Sequence, residues 1–116
     1  MSERHPKLLL EDILESAEKI ISYTAALTYD EFVADSKTID AVVRNFEIIG
    51  EAANRLPDEV KNNNQEIDWH KIRGLRNRIV HNYFGINYYI IWAIIEDYLN
   101  PLIGQISALL NQRQYR

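Results

Sequence analysis

Apolar residues recur at helical spacing along nearly the whole chain, and this periodicity constrains the fold more than any other feature. Four segments carry it: residues 6–26, 38–56, 69–83 and 87–113. No segment shows the alternating pattern of a β-strand, and the sequence contains no internal repeat or low-complexity tract. The pattern predicts an all-α fold, an antiparallel up-and-down bundle of four main helices with short extra helical turns.

Length and composition favour one domain. An apolar content of 47% in 116 residues is enough for a real core, so we expect residues 1–116 to form a single helical domain. The chain has no cysteine, which excludes disulfides and thiolate metal sites. No run of about 18 apolar residues occurs, and the N terminus is too charged for a signal peptide. We therefore expect a cytoplasmic protein that does not associate with membranes.

Several residues predict where helices begin and end. Thr28 and Glu31 fit a capping box that starts a short helical turn. Pro57 should end the second long helix, and the polar residues 58–65 should form a short helical turn followed by a surface loop. Pro101 should kink the last helix, or split it after the preceding residue.

Residues around the third long segment give further expectations. Asp68 should cap its first turn, and Gly85 should close it in a left-handed conformation. Gly50 and Gly74 lie inside predicted helices, where glycine costs about 1 kcal/mol relative to alanine. Each is expected to mark a close approach of two backbones. His70 is expected to be exposed or to take part in capping, and we assign it no chemistry.

Positive charge is concentrated in one segment. Residues 69–83 carry Lys71, Arg73, Arg76 and Arg78 and no acid, whereas the other segments hold nine basic and seventeen acidic residues. A basic helix on an acidic body could attract a phosphate-bearing ligand. Alternatively, the acidic helices of the same bundle neutralise it, and charge alone does not distinguish these two interpretations.

Helical geometry brings the polar side chains of this segment together. Arg73, Asn77 and His81 are spaced by four and form one stripe, which Arg76 and Tyr83 flank. An imidazole exchanges protons near neutral pH, and a guanidinium holds a phosphate in a two-pronged grip. These groups suit phosphoryl chemistry without a metal. The sequence also lacks the clustered ligands of a metal hydrolase and any glycine-rich phosphate-binding loop.

A second polar stripe lies on residues 38–56. Arg44, Glu47 and Glu51 are spaced by three and four, so they share a helical face. One interpretation is a solvated stripe with ordinary ion pairs, which contribute little. The other is an inward polar stripe that supports the helix of His81 or contacts a partner.

The segment from Arg76 to Tyr83 matches the R-x4-H-x-Y motif of HepT-like toxins, a branch of the HEPN ribonucleases. The flanking sequence resembles the same family in order and spacing at residues 44–53, 68–69, 74–77, 83–85 and 91–92. The resemblance therefore covers most of the chain.

This resemblance implies a HEPN-like bundle that acts as the toxin of a toxin–antitoxin system. Its implied activity is metal-independent, cofactor-free endoribonuclease cleavage of RNA, with tRNA as a candidate target. Arg76 and His81 would be the catalytic residues, and Asn77 and Arg73 would support them. His81 would act as general base or acid when a ribose 2′-OH attacks the adjacent phosphorus, and Arg76 would neutralise the developing charge.

The resemblance also implies two protein partners. One is a second copy of the chain, in a homodimer whose two motif helices line one cleft. The other is a separate MntA-like nucleotidyltransferase antitoxin that adenylylates Tyr83, whose hydroxyl is expected near His81. A dimer is chemically attractive because one histidine cannot easily be both acid and base. The surplus apolar residues of segment 87–113 also suggest a dimer face.

A function of another class fits the same residues. The chain could be a non-catalytic helical subunit that binds nucleotide or substrate for a two-component nucleotidyltransferase. Both functions keep the basic stripe and the partner, and they differ in whether RNA is cut. A purely structural bundle would leave the acid-free stripe unexplained.

Overall fold

The computed structural model describes residues 4–115, which form six α-helices and a closing 3₁₀ turn and contain no strand. In chain order the helices are α1 (Pro6–Thr24), α2 (Tyr29–Val33), α3 (Ser36–Arg55), α4 (Asp58–Asn62), α5 (Trp69–Phe84) and α6 (Tyr88–Leu110). α1, α3, α5 and α6 are the long helices of the predicted bundle, and α2 and α4 are the short extra turns. The predicted all-α bundle is confirmed.

Capping side chains mark the starts of α2, α3 and α5. The Thr28 hydroxyl accepts from the Glu31 amide at 3.2 Å, and the Glu31 carboxylate accepts from the Thr28 amide at 3.0 Å. This reciprocal pair confirms the capping box at α2. Asp35 and Asp68 cap α3 and α5 by accepting backbone amides three residues on. α3 ends at Arg55, two residues before Pro57, as that proline predicts.

α6 runs without interruption through Pro101, so the predicted split of this helix is wrong. Proline removes one helical hydrogen bond, the one that would reach the carbonyl of Asp97. Pro101 is exposed, so water can bond that carbonyl instead. Leu99 and Leu102 on either side are buried in the core. The burial of these two side chains keeps the helix continuous across the proline.

The long helices close a ring around one apolar interior. α1 packs against α3 and α6, and α5 packs against the same two helices. Every long helix contributes fully buried side chains, among them Leu10, Ile13, Phe46, Ile49, Ile72, Ile79, Leu99 and Leu102. None of the described helices has the length and apolarity needed to cross a membrane.

The start of α5 is fixed by a buried polar residue in the loop before it. The Trp69 indole is buried and donates to the Asn64 carbonyl at 3.0 Å. The Asn64 side chain is only 2% exposed, donates to the Val60 carbonyl and accepts from Gln112. Trp69 is thus a packing anchor. The loop predicted to lie on the surface buries one of its three asparagines, because that side chain satisfies its hydrogen bonds internally.

The two glycines inside long helices have different surroundings. A Cβ added at Gly50 would lie 3.0 Å from the Arg76 Cβ, so α3 and α5 approach closely there, as predicted. A Cβ added at Gly74 would meet nothing within 4 Å. The predicted close approach at Gly74 is wrong within the bundle, because this residue lies on the exposed side of α5.

Candidate active site

The orientation of α5 follows from its apolar spacing. Ile72, Leu75 and Ile79 are buried and turn one face of the helix toward the core. The opposite face therefore presents residues spaced by four to solvent, and Arg73, Asn77 and His81 are all exposed there.

The basic residues of α5 are available to a ligand. Within residues 4–115, ion pairs shorter than 4 Å occur only between Arg4 and Asp12 and between Glu15 and Lys19, all far from α5 in the chain. Lys71 instead lies over the Tyr98 ring, 4.8 Å from its centroid. Direct pairing with the acidic helices of the bundle therefore does not neutralise the guanidinium groups of α5.

A groove of about 540 Å³ runs between α3 and α5. Its walls are formed by Glu47, Gly50, Glu51 and Asn54 from α3 and by His70, Arg73, Gly74, Arg76 and Asn77 from α5. Two carboxylates thus line the same groove as two guanidinium groups without pairing with them. This arrangement suits a nucleotide, because guanidinium groups hold phosphate and carboxylates accept from sugar hydroxyls.

Two of the three residues in the polar stripe on α3 line the groove. Glu47 and Glu51 face α5 across the groove, whereas Arg44 is exposed and lies outside its walls. The two acids therefore belong to the polar surface around the motif. His70 is exposed, as expected, and it also lines this groove. Its contribution was missed because a single histidine at a helix start carries no pattern.

Arg76 and Asn77 contact each other at the mouth of the groove. Arg76 Nη1 donates to Asn77 Oδ1 at 3.2 Å. This bond restrains the guanidinium and occupies the amide oxygen of Asn77, the residue expected to support Arg76 and His81. Close packing of the Arg76 stem against Gly50 of α3 also restrains this side chain.

His81 lies outside the groove lining, in the last turn of α5. It is five residues beyond Arg76, about 7.5 Å along the helix axis at 1.5 Å per residue. Its imidazole is exposed and makes no side-chain hydrogen bond within the described chain. The ring is therefore accessible to a bound ligand. No group of three metal-ligating side chains occurs among residues 4–115.

Tyr83 is tied to α3. Its hydroxyl donates to Asp40 Oδ1 at 2.8 Å, and this bond raises the pKa of Tyr83, with a further contribution from the carboxylate charge. The hydroxyl was expected near His81, but two residues correspond to about 200° of helical rotation. Tyr83 thus turns toward α3 while His81 faces outward. The sequence gives no local signal for Asp40, because the pair is 43 residues apart.

The turn after α5 differs from its prediction. Gly85 is right-handed, with φ −78° and ψ −5°, and the left-handed residue is Ile86, at φ 58°. Ile86 N–H bonds to the Tyr83 carbonyl at 3.2 Å and Asn87 N–H to the Asn82 carbonyl at 2.8 Å, the Schellman pattern.

Gly85 leaves little space for a side chain next to the last turn of α5. A Cβ at Gly85 would lie 3.0 Å from the His81 carbonyl, to which the Gly85 amide already bonds at 2.9 Å. The sequence pattern alone could not separate this crowding from a positive φ, because both favour glycine.

An apolar patch surrounds this turn. Phe84, Ile86 and Tyr89 are 77%, 74% and 66% exposed, which is unusual for large apolar side chains next to one another in sequence. The predicted surplus of apolar residues in α6 is therefore mostly packed on the core, as with Ile90 and Trp92. In α6 itself Tyr89 has this high exposure, whereas Phe84 and Ile86 precede the helix.

Comparison with known proteins identifies relatives over nearly the full length. A family model described as "Ribonuclease HepT-like" matches residues 13–109. "Putative RNase MJ0127" of Methanocaldococcus jannaschii is 43% identical over 95% of this chain and 91% of that protein. "Putative RNase TTE0752" of Caldanaerobacter subterraneus subsp. tengcongensis is 36% identical over 94% and 97%. "Probable ribonuclease HepT" of Thermococcus cleftensis is 35% identical over 92% and 97%. No solved structure matches the chain.

Proposed function

This chain belongs to the HepT-like ribonuclease family, and on that premise we propose that it is a metal-independent endoribonuclease and the toxin of a toxin–antitoxin system. One observation carries the proposal. Arg73, Arg76 and His81 lie on the accessible side of α5, and no acidic side chain of the described chain pairs with them. RNA, with tRNA as a candidate, is the substrate.

The proposed reaction is transesterification within the RNA. The ribose 2′-OH attacks the adjacent phosphorus while His81 removes its proton. Arg76 neutralises the charge that builds on the phosphoryl oxygens. The 5′-oxygen leaves with a proton from a second acid, and the products carry a 2′,3′-cyclic phosphate and a 5′-hydroxyl. Arg73 and Asn77 contact the neighbouring phosphate.

A homodimer would supply the second acid. Each chain has one motif histidine, so two copies with facing motif helices bring both proton-transfer groups to one cleft. The apolar patch around Ile86 supports this arrangement, because it lies beside the motif and offers surface for a second copy.

The proposed control of this activity is adenylylation of Tyr83 by a separate MntA-like nucleotidyltransferase antitoxin. Tyr83 is half-buried and follows His81 by two residues. An AMP group there adds bulk and a negative phosphate next to the guanidinium groups of α5. The AMP phosphate would compete with the RNA backbone for those guanidinium groups, and its negative charge would repel that backbone.

Cleavage in the presence of EDTA tests the proposed activity. The purified protein should cut RNA and leave 2′,3′-cyclic phosphate ends. We expect His81→Ala to lower the rate by at least 100-fold, the low end of the usual general acid–base contribution. His5→Ala, which changes a histidine before α1, is the matched control and should cleave like wild type. Circular dichroism checks that both variants fold.

The mixed charge of the groove between α3 and α5 favours the second candidate, a nucleotide- or substrate-binding subunit. The same experiment separates the two functions. RNA binding without cleavage, at equal affinity in wild type and His81→Ala, would support the binding subunit and contradict the ribonuclease. A requirement for Mg²⁺ would contradict the proposed mechanism.

A further inference from the structure

The Asp40 carboxylate accepts a hydrogen bond from the hydroxyl of Tyr83, the motif tyrosine. The bond from Tyr83 to Asp40 spans 2.8 Å and joins the last turn of α5 to the beginning of α3. Within residues 4–115, Asp40 forms no ion pair, so no cation competes for its lone pairs. The group transfer proposed above thus has a proton acceptor already in contact with its nucleophilic atom.

We infer that Asp40 is the general base for adenylylation of Tyr83, a role that rests on the proposed function. In this step Tyr83 Oη attacks the α-phosphorus of ATP held by the nucleotidyltransferase. The new O–P bond forms as the bond to the pyrophosphate oxygen breaks, and pyrophosphate leaves with that electron pair. The hydroxyl proton passes to Asp40 Oδ1 and from there to water.

Electrostatics explain why such a base is needed. The carboxylate raises the pKa of Tyr83 because it stabilises the protonated phenol, so Tyr83 is neutral near pH 7. A neutral phenol is a weak nucleophile, and its proton must leave as the bond to phosphorus forms. Asp40 lies in hydrogen-bond contact with that proton, the geometry expected of a general base.

The same contact selects one tyrosine among neighbours. Tyr88 begins α6 close enough to Tyr83 to affect its pKa, and Tyr89 follows it. Neither hydroxyl donates to a carboxylate within the described chain. We therefore expect AMP on Tyr83 in preference to both. Once attached, the phosphate repels the Asp40 carboxylate, which favours movement of the modified side chain away from α3.

Single-site variants test the role of Asp40. Wild type, Asp40→Asn and Asp30→Asn are each incubated with an MntA-like nucleotidyltransferase, ATP and Mg²⁺, and AMP is located by fragment mass spectrometry. Asparagine can still accept the Tyr83 hydroxyl bond but cannot take its proton. We expect Asp40→Asn to slow modification on the order of 100-fold near pH 7. Asp30→Asn removes an exposed acid from α2 and should react like wild type.

The pH profile separates a base from a structural support. With Asp40 as base, the deficit of Asp40→Asn should shrink as pH rises, because hydroxide increasingly removes the phenol proton. If Asp40→Asn reacts as fast as wild type or faster at all pH values, the carboxylate only holds the hydroxyl and the inference is overturned. Absence of AMP on wild-type Tyr83 overturns the proposed switch together with the inference. RNA cleavage by unmodified Asp40→Asn should match wild type.

A chemical probe tests Asp40 without the transferase. N-acetylimidazole acetylates tyrosine hydroxyls, with imidazole as the leaving group, and mass spectrometry gives the rate at each site. Tyr23, which is 43% exposed on α1, serves as the internal reference. Acetylation of Tyr83 relative to Tyr23 should be slower in Asp40→Asn than in wild type. An unchanged ratio would contradict a proton-accepting role for Asp40.

Discussion

Ile86 has the only positive φ among the described non-glycine residues. A left-handed conformation costs an L-residue about 1–2 kcal/mol, and a β-branched side chain tolerates it poorly. The side chain is 74% exposed, so burial within the chain does not offset this cost. Strain of this kind tends to persist where surrounding structure or function requires it.

Substitution at Ile86 should therefore stabilise the isolated chain. Ile86→Gly removes the cost of the left-handed conformation but increases the conformational entropy of the unfolded chain. We therefore expect the free energy of unfolding to rise by about 1 kcal/mol or less. Ile86→Ala loses the same apolar side chain but keeps the left-handed cost of any residue with a Cβ, so it should gain less stability than Ile86→Gly. Denaturant unfolding at low protein concentration measures both. A less stable Ile86→Gly variant would show that the isoleucine makes a contact that outweighs its strain.

The planar shape and hydrogen bonds of the Arg76 guanidinium should contribute to RNA cleavage beyond its positive charge. Arg76→Lys keeps the positive charge and most of the stem that packs on Gly50, but it loses the planar two-pronged grip and the bond to Asn77. We expect RNA cleavage to fall about 10-fold or more, mainly in kcat. Arg78→Lys, on another side of α5, is the matched control and should retain activity. Equal rates for both variants would exclude a specific phosphate contact by Arg76.

Sequence pattern predicted residues whose role depends on near neighbours and missed those whose role depends on packing. Asp68 was predictable as a cap because its partner lies three residues on. Asp40 was not, because its contact with Tyr83 exists only once α3 and α5 are paired. Gly85 was placed correctly at the helix end, but the left-handed residue of the turn is Ile86, one position later.

At the scale of elements, the contact between α3 and α5 builds the candidate site. Gly50 brings α3 close to the backbone of α5, where its Cα faces Arg76 and the Arg73 carbonyl. This contact sets the width of the groove and the base from which the Arg76 guanidinium extends. Gly74 also lines the groove, but it is exposed and has free space around it.

The two glycines make a matched pair for a stability test. Alanine gains about 1 kcal/mol over glycine in a helix interior, and at Gly74 nothing opposes that gain. At Gly50 the new methyl group would lie 3.0 Å from the Arg76 Cβ, so the helices must separate slightly. Overpacking costs about 1–3 kcal/mol, so Gly50→Ala should be destabilised by about 1 kcal/mol overall. Denaturant midpoints check both values, and a stabilised Gly50→Ala would contradict a close helix contact.

The helices themselves were largely predictable because their signals are local. Apolar periodicity and capping residues located four long helices and the turn at Thr28. The predicted split at Pro101 was wrong because the local penalty of proline is set against core burial on both sides, which no local pattern measures. The burial of Asn64 was missed for the same reason, since its side-chain partner Gln112 lies 48 residues away.

The whole molecule combines a net charge of −4 with an accessible basic helix. Such an arrangement attracts a polyanion locally while the acidic body disfavours binding elsewhere. Affinity for RNA would then depend on a few phosphate contacts and fall with salt concentration. This charge distribution favours a partner or substrate that meets α5 and its immediate surroundings.

The exposed apolar patch after α5 predicts that the protein forms a dimer. Phe84, Ile86 and Tyr89 expose apolar side chains around one turn beside His81, and a second copy related by a twofold axis would bury them. Sedimentation at micromolar concentration should therefore show a dimer. Phe84→Ser combined with Tyr89→Ser should shift it toward monomer and lower RNA cleavage, although Arg76 and His81 are intact.

A control substitution shows whether the position of the patch is what matters. Leu8 is 41% exposed on α1, away from the motif, so Leu8→Ser removes exposed apolar surface without touching the turn after α5. It should sediment and cleave like wild type. Mixing excess His81→Ala with wild type should lower activity, because dimers with one histidine lack either the acid or the base. A monomeric wild type with full activity would contradict the two-histidine cleft and would require each chain to supply both proton transfers.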